Sequence, residues 1–482
     1  MKKIVLLVII IAGFKTFVNA AVLNDDFQSY NIGTLEDQSF YINNSTDAAS
    51  TVIVDPLNLS NKIVSHDCTD SQYRSIKTPL YYLGDLYEDV VVDLDFYLAS
   101  DGATTGVLSV IYVWEMDSSA NRPMQIVLMA DGDVQANSGT GWQVTGAGTL
   151  SRDTWYHIHA VIRNTYDGRT AHDYIITEKA TGDVIVKVAV ADSYGAPWGV
   201  KSAQIRTYTG FKAYYDNFSI KPAKRPAGPF IDNFESYSTS IPFEDQSIFF
   251  TNMDATSLVN KAQIVNLSGN KVLLQDATIG AARTTKLAAN YLKSMFHEVE
   301  FNVDLRLDAG QTTIYVWEVD GGANNNRPLQ IVVNSSADGG VWVYGDTVGG
   351  EPVGGYYWIG DPGVIQVGSG KWYRFKGYLH LSQEGALSTV DLEIIDIAAN
   401  TIVAGRTGID AKGWPMDIRS FQFRTEAGGV AYFDNIVLKQ LYADCQEAIS
   451  AGAVSVADIN SDCVVNLVDL ARMAENWLES IL

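Results

Sequence analysis

Cysteine is scarce in this 482-residue chain: there are three, Cys68, Cys445 and Cys463. That excludes a disulfide-dense scaffold. Six scattered histidines give no zinc-ligand spacing. Basic residues are few as well, 34 Lys and Arg against 56 Asp and Glu, for a formal charge of −22. Such a balance lacks the positive footprint that nucleic acid demands. It suits cations and neutral or locally recognised ligands. Beyond the N-terminus no run of about 18 apolar residues occurs, so no membrane span is expected. Convincing helical periodicity is nearly absent too.

What is present begins with Lys2 and Lys3, an apolar run from Ile4 to Gly13, and the small-residue ending Val18-Asn19-Ala20. Residues 1–20 read as a signal peptide cleaved after Ala20, so the expected location is secreted, extracellular or cell surface. Cleavage removes Lys2, Lys3 and Lys15 and no acid; 34 basic residues less these three, against 56 acids, leave a charge of −25.

The chain repeats itself. "DDFQSY" at Asp25 returns as "DNFESY" at Asp232, and "EDQS" at Glu36 returns at Glu244. "IYVWEMD" at Ile111 returns as "IYVWEVD" at Ile314, and "NRPMQIV" at Asn121 as "NRPLQIV" at Asn326. Trp155-Tyr156 matches Trp372-Tyr373, and "AYYDNFSI" at Ala213 matches "AYFDNIVL" at Ala431. The constant order marks a tandem duplication, with units at 22–221 and 230–439 and a Pro-rich linker at 222–229. Inside each unit the period is two, as in "EDVVVDLDFYLA" and "TWYHIHAVIR", with Gly, Asn, Asp and Ser between the runs. The expected fold is all-β: two antiparallel β-sandwiches, each closed by pairing its first segment with its last.

The "DDF-x-SY" opening and "YYDNF" ending resemble concanavalin A-like jelly rolls of the laminin-G and polysaccharide-active kind. That resemblance implies a glycan-facing fold, but its superfamily spans binding modules, hydrolases, lyases and adhesion domains. Several such jelly rolls hold a structural calcium near the chain ends, which implies Asp25, Asp26, Asp216, Asp232 and Asp434 as ligands. The alternative is that these acids bond their own backbone.

From Asp458 the chain reads "DINSDCVVNLVD". Asp458, Asn460, Asp462, Asn466 and Asp469 fall at loop positions one, three, five, nine and twelve, with the Val464 carbonyl at seven. Leu467, Leu470, Met473, Ala474, Trp477 and Ile481 then follow at helical spacing. Residues 443–482 resemble one calcium loop and helix of a type I dockerin, with Cys463 where the loop normally turns on Gly. Calcium is therefore the expected cofactor, and the partner is a cohesin-like receptor, another surface protein or the second sandwich. In an oxidising exterior a Cys445–Cys463 disulfide would close a short loop, worth about 3 kcal/mol by chain entropy. Cys68 is left over as a small buried or semi-buried thiol.

Within the sandwiches, Trp114-Glu115-Met116-Asp117 and Trp317-Glu318-Val319-Asp320 place two acids on one strand face. The resemblance to family-16-type glucanases fails at a third acid, so a structural role is expected, with Glu115 pairing Arg122 and Glu318 pairing Arg327. Lyase chemistry asks for an Arg or Gln, a His and a Tyr. Gln204 with Arg206, and Gln422 with Arg424, share faces, but His157 and His159 become Arg374 and Lys376 in the second copy. Those histidines read as an exposed basic face. Trp142, Trp198, Trp342, Trp358 and Trp414, with Tyr344, Tyr356 and Tyr357, lie in or near Gly-rich segments where rings stack on sugars. Together these features favour a non-catalytic carbohydrate-binding or adhesion protein, with Trp142, Trp198, Gln204, Arg206, Trp342, Trp358, Trp414, Gln422 and Arg424 as ligand contacts. A polysaccharide lyase or glycoside hydrolase, and a structural matrix or envelope protein, are the alternatives.

Overall fold

The computed structural model describes residues 23–442, except 45, 85, 88, 116–120, 140, 147–148, 165–169, 191–192, 196, 198, 224, 226–228, 252–260, 297, 319–326, 335–339, 346–354, 360–362, 383–387 and 413–414, together with Ala471. The signal-peptide expectation at 1–20, Cys445, Cys463 and the loop Asp458, Asn460, Asp462, Val464, Asn466 and Asp469 lie outside the described residues.

Two compact units divide the chain, Met1–Lys224 and Arg225–Leu482. In the first, a nine-stranded sheet runs Val184–Val190, Ala171–Glu178, Trp155–Arg163, Asp89–Leu98, Lys212–Ala223, Asn58–Asp67, Thr51–Asp55 and Gly33–Thr34, with Leu23–Asp25 also paired to Lys212–Ala223. Its six-stranded companion runs Gly141–Gly146, Val134–Ser138, Met124–Met129, Val107–Trp114, Ser202–Thr207 and Arg74–Lys77.

The second unit repeats the plan. Its eight-stranded sheet runs Gln263–Leu267, Asn270–Asp276, Val430–Leu441, Glu298–Ala309, Tyr373–His380, Thr389–Asp396 and Thr401–Asp410, with Phe230–Asp232 on Val430–Leu441. Its seven-stranded sheet runs Phe249–Thr251, Arg283–Leu287, Ser420–Thr425, Gln311–Trp317, Leu329–Asn334, Val341–Gly345 and Gly355–Trp358. The ladders within both are antiparallel.

Alternation of side-chain character is what makes these strands two-faced. Along Tyr373–His380 buried and half-buried residues alternate without a break. Val90, Val92, Leu94, Phe96 and Leu98 point one way from Asp89–Leu98, and each is almost fully buried. The six-stranded sheet contributes Ile111, Val113, Ile126, Leu128, Ala203 and Ile205 to the buried set. Burying each large apolar side chain is worth about 1.5–3 kcal/mol, so register is strongly specified wherever an inner face exists.

The duplicated motifs at the unit ends are turn and bulge devices. Leu23 pairs Ile220 and Asp25 pairs Phe218, as Phe230 pairs Leu438 and Asp232 pairs Ile436. Asp25 Oδ1 accepts the Phe27 amide at 2.8 Å and Oδ2 the Tyr30 hydroxyl at 2.8 Å. Asp232 does the same with Phe234 and Tyr237, both at 2.9 Å. These bonds hold Phe27 and Phe234 at φ of 58° and 59°, a left-handed conformation rare for a bulky residue. At the other end the "DN" pair makes a bulge in which Asn217 and Asn435 take φ of 50° and 48°. Asn217 Nδ2 donates to Asp95 at 2.7 Å, and Asn435 Nδ2 to Asp304 at 2.9 Å. "EDQS" is likewise a clamp: Glu36 receives the Ser50 amide, and Glu244 the Ala262 amide and the Thr285 hydroxyl. Cys68 is a buried free thiol pushed up to about 12 by burial.

Candidate functional site

The smaller sheet of each unit turns a polar and aromatic face away from the sandwich interior. In the first unit Lys77 lies opposite Gln204, Gln204 opposite Tyr112, and Tyr112 opposite Gln125. Asn137 Nδ2 continues the row by donating to Gln125 Oε1 at 3.0 Å, and Trp142 lies opposite Asn137. Two residues along each strand in either direction, alternation supplies the neighbouring rows on the same face: Arg206 opposite Ser75 and Val110, and Ser202 opposite Trp114.

The second unit sets Lys286, Gln422, Tyr315 and Gln330 in the same order, with Arg424 opposite Thr284 and Thr313, and Ser420 opposite Trp317. Trp342 lies opposite Val332 and Trp358 opposite Trp342, their ring centroids 4.7 Å apart.

An arginine lies over the aromatic pair in both units. Arg122 stands 5.0 Å from the Trp114 ring and 5.9 Å from that of Tyr112, and gives Nη1 to Gln125 Oε1 at 2.6 Å. Arg327 stands 4.7 Å from Trp317 and 5.7 Å from Tyr315, and gives Nη1 to Gln330 at 2.5 Å. This corrects the expected Glu115–Arg122 pair: Glu115 Oε2 receives Asn121 Nδ2 at 2.7 Å, and Arg122 goes to the rings. Asp117 and Asp320 lie outside the described residues.

Among the described residues, several donors on this face find no partner. Trp114 Nε1, Gln204 Nε2 and Ser202 Oγ are buried and find no hydrogen-bond partner among the described residues, and Trp317 Nε1 repeats this in the second unit. Such groups carry a desolvation cost of about 1–3 kcal/mol each. Gln204 is 4% exposed, whereas Trp142 at the row's end is 51% exposed and Trp358 45%. In each unit the buried polar groups thus share a sheet with one accessible ring at its edge.

Burial pushes the Tyr112 phenol up, with Tyr208 adding to it, and burial also raises Tyr315. Nearby acids are engaged: Arg206 Nη2 holds Asp47 at 2.7 Å and Arg424 Nε holds Glu426 at 2.8 Å. Arg206 also lies 4.3 Å over the Tyr73 ring. Among the described residues of the first unit, no histidine lies on this face. His66 and His172 are fully buried, and His157 and His159 belong to the nine-stranded sheet, not the one bearing Gln204 and Arg206. The side chains of His157 and His159 reach solvent as expected, but each imidazole meets a carboxylate: Asp95 at 2.7 Å from His157 and Asp93 at 2.7 Å from His159. Hydrogen bonds to Asp93 and Asp95 raise His157 to about 9. Burial would raise Asp93, but bonds from His157 and His159 hold it well below the usual carboxylate range.

Gln204, Arg206, Gln422 and Arg424 therefore belong to the duplicated face, Trp142 ends the first unit's row, and Trp342 and Trp358 pair at the second unit's sheet edge. Trp198 and Trp414 lie outside the described residues. Tyr344 sits under Lys412, whose Nζ is 4.3 Å from the ring centroid, and Tyr357 is buried with Arg406 over its ring at 5.1 Å. The acids at the unit ends are occupied by their own turns. Besides Asp25 and Asp232, Asp26 Oδ1 receives the Gln28 amide, Asp216 receives Asn217 and Asn61, and Asp434 receives Asn435 and Asn270. Sequence reading missed Lys77, Tyr112, Gln125 and their counterparts. The signal was present, since "IYVW" and "NRPxQIV" recur and alternate residues of each must share a face.

No family model and no curated protein matches the chain. Several solved structures are similar to it at low identity. The N-terminal CBM22-1-CBM22-2 tandem domain from Paenibacillus barcinonensis Xyn10C is 11% identical at a TM-score of 0.29, over 88% of this chain and 98% of that one. The marine PL-14 alginate lyase from Aplysia kurodai is 11% identical at 0.33, over 45% and 100%. Lectin UEA-II complexed with galactose is 7% identical at 0.30, over 42% and 98%.

Proposed function

We propose that the chain is an exported carbohydrate-binding protein that holds a polysaccharide on the outer faces of its two smaller sheets and does not cleave it. The observation that carries this is the same constellation built twice: Lys77, Gln204, Tyr112, Gln125, Trp114 and Arg122 in one unit, and Lys286, Gln422, Tyr315, Gln330, Trp317 and Arg327 in the other. Amides, guanidinium groups and indole N–H groups suit sugar hydroxyls, and the exposed indoles suit the C–H faces of sugar rings. Without a histidine or an unengaged acid among the face's described residues, the arrangement favours binding over catalysis. The segment 443–482 is assigned to calcium-dependent docking onto a partner or surface, through the loop Asp458 to Asp469.

The test is a glycan array on the full chain, paired with reducing-end and unsaturated-product assays on plant and algal polysaccharides. Binding without product, weakened at least about tenfold by Trp142→Ala and Gln204→Ala together, supports the proposal. Product that Arg206→Ala abolishes would replace it with a lyase or hydrolase. Neither binding nor product would point to a structural protein.

A further inference from the structure

The outer face of the first unit's larger sheet holds a cluster that the glycan face does not use. Strand register sets Asp93 beside His159 and Asp95 beside His157. His159 Nδ1 lies 2.7 Å from Asp93 Oδ1, and His157 Nε2 lies 3.7 Å from the same oxygen. One ligand atom from each of Asp93, His157 and His159 lies within 4.8 Å of the other two. Four-coordinate zinc, with bonds near 2.0–2.2 Å, separates neighbouring ligand atoms by about 3.3 Å. The 3.7 Å pair needs almost no movement, and the 2.7 Å pair opens slightly when an ion replaces the shared proton.

The surroundings also fit. His157 turns Nδ1 to Asp95 Oδ1 at 2.7 Å, which leaves Nε2 on the Asp93 side. A carboxylate behind an imidazole is the arrangement that fixes the tautomer and orientation of a metal-bound histidine. Asp95 is itself held by Asn217 and Lys179. Lys221 Nζ and Ser219 Oγ take the other Asp93 oxygen, at 3.2 and 3.3 Å, so Oδ1 faces the histidines. The side chains of His157 and His159 are 36% and 45% exposed, which lets an ion enter from solvent.

We propose that Asp93, His157 and His159 form a binding site for a divalent transition-metal ion of the zinc or copper class, with its remaining positions open to water. Two imidazoles and one carboxylate suit these borderline ions, whereas calcium asks for six to eight oxygens. The second unit supplies a built-in contrast. At the corresponding register positions it has Asn302, Arg374 and Lys376, and Arg374 grips Asp304 through two bonds of 2.7 and 2.8 Å. A permanent cation supplies no lone pair, so the site belongs to the first unit.

The experiment titrates metal-free full-length protein, its thiols alkylated, with Cu(II) and Zn(II) by calorimetry, and records the Cu(II) electron paramagnetic resonance spectrum. One added equivalent of Cu(II) should show coupling to two imidazole nitrogens. The double variant His157→Arg, His159→Lys installs the second unit's residues and should weaken binding at least about 100-fold; Asp95→Asn, which only loosens orientation, should weaken it about tenfold. Near-UV circular dichroism checks the fold, and His159→Lys alone carries the test if the double variant unfolds. Unchanged affinity in the folded variant, no nitrogen coupling, or no binding at millimolar ion would each overturn the assignment. Glycan binding is read separately and does not bear on it.

Discussion

Mild acid should unfold the first unit well before the second. His66 sits between the sheets with no exposure, bonded to Ser50 Oγ and Thr207 Oγ1, both at 2.9 Å. Burial, with Arg74 nearby, lowers it to about 3. Burial likewise lowers His172 to about 3; its Nδ1 lies 3.4 Å from Ser193 Oγ. The second unit fills these places with groups that do not titrate. Gln275, opposite Ala431 as His66 is opposite Ala213, bridges Thr285 and Thr425, while Val390 stands where the first unit has His172.

A histidine depressed by folding stays neutral in the native state while the unfolded chain takes up a proton. Stability is therefore whole above the unfolded value of about 6.5 and falls as pH drops toward about 3. Between pH 6.5 and 5.0 each histidine removes about 1.6 kcal/mol, and the pair about 3 kcal/mol. Asp216 and Asp434, both raised by burial, oppose the trend in both units. Hydrogen exchange on the full chain, corrected for intrinsic rates, reads each unit through Ser202–Thr207 and Ser420–Thr425. The first segment should lose about 3 kcal/mol of protection relative to the second, and His66→Gln with His172→Val should abolish the difference. An equal response of both segments, or a difference that persists in the variant, would refute the linkage.

Tyr30→Phe and Tyr237→Phe each leave one oxygen of a turn carboxylate unbonded, and urea unfolding should show a loss of about 1–3 kcal/mol in each; no loss would mean the tyrosines do not hold the turn. Asn217→Gly keeps the left-handed bulge but drops the bond to Asp95, so it should destabilise less, by about 1 kcal/mol, than Asn217→Ala, which also strains the backbone. Reversal of that order would remove the bulge argument. Calcium added to a 443–482 peptide with the Cys445–Cys463 bond formed should raise its helical circular dichroism. A flat titration would dismiss the calcium loop.

Period-two alternation and the ordered repeat are legible in the sequence, because side-chain polarity along a strand records which face meets the core. Register gives several motifs a structural role. "DDFQSY", "EDQS" and "YDN" recur because both sandwiches need the same clamped turn and bulge, and their acids are occupied with backbone and amide groups. The duplicated polar face is half visible in the sequence: Gln204 and Arg206 stand out as a pair, yet Tyr112, Gln125 and Lys77 join them only through the strand order Met124–Met129, Val107–Trp114, Ser202–Thr207, Arg74–Lys77.

By itself, then, the sequence determined the all-β class, the duplication and the inner faces, since burial must follow the two-residue pleat. Which outward residues meet was decided by the tertiary structure. Asp93 and His159 are 66 positions apart and come within 2.7 Å because Asp89–Leu98 neighbours Trp155–Arg163 in one register. That proximity arises from hydrogen-bonded pairing between distant segments, which no local pattern encodes.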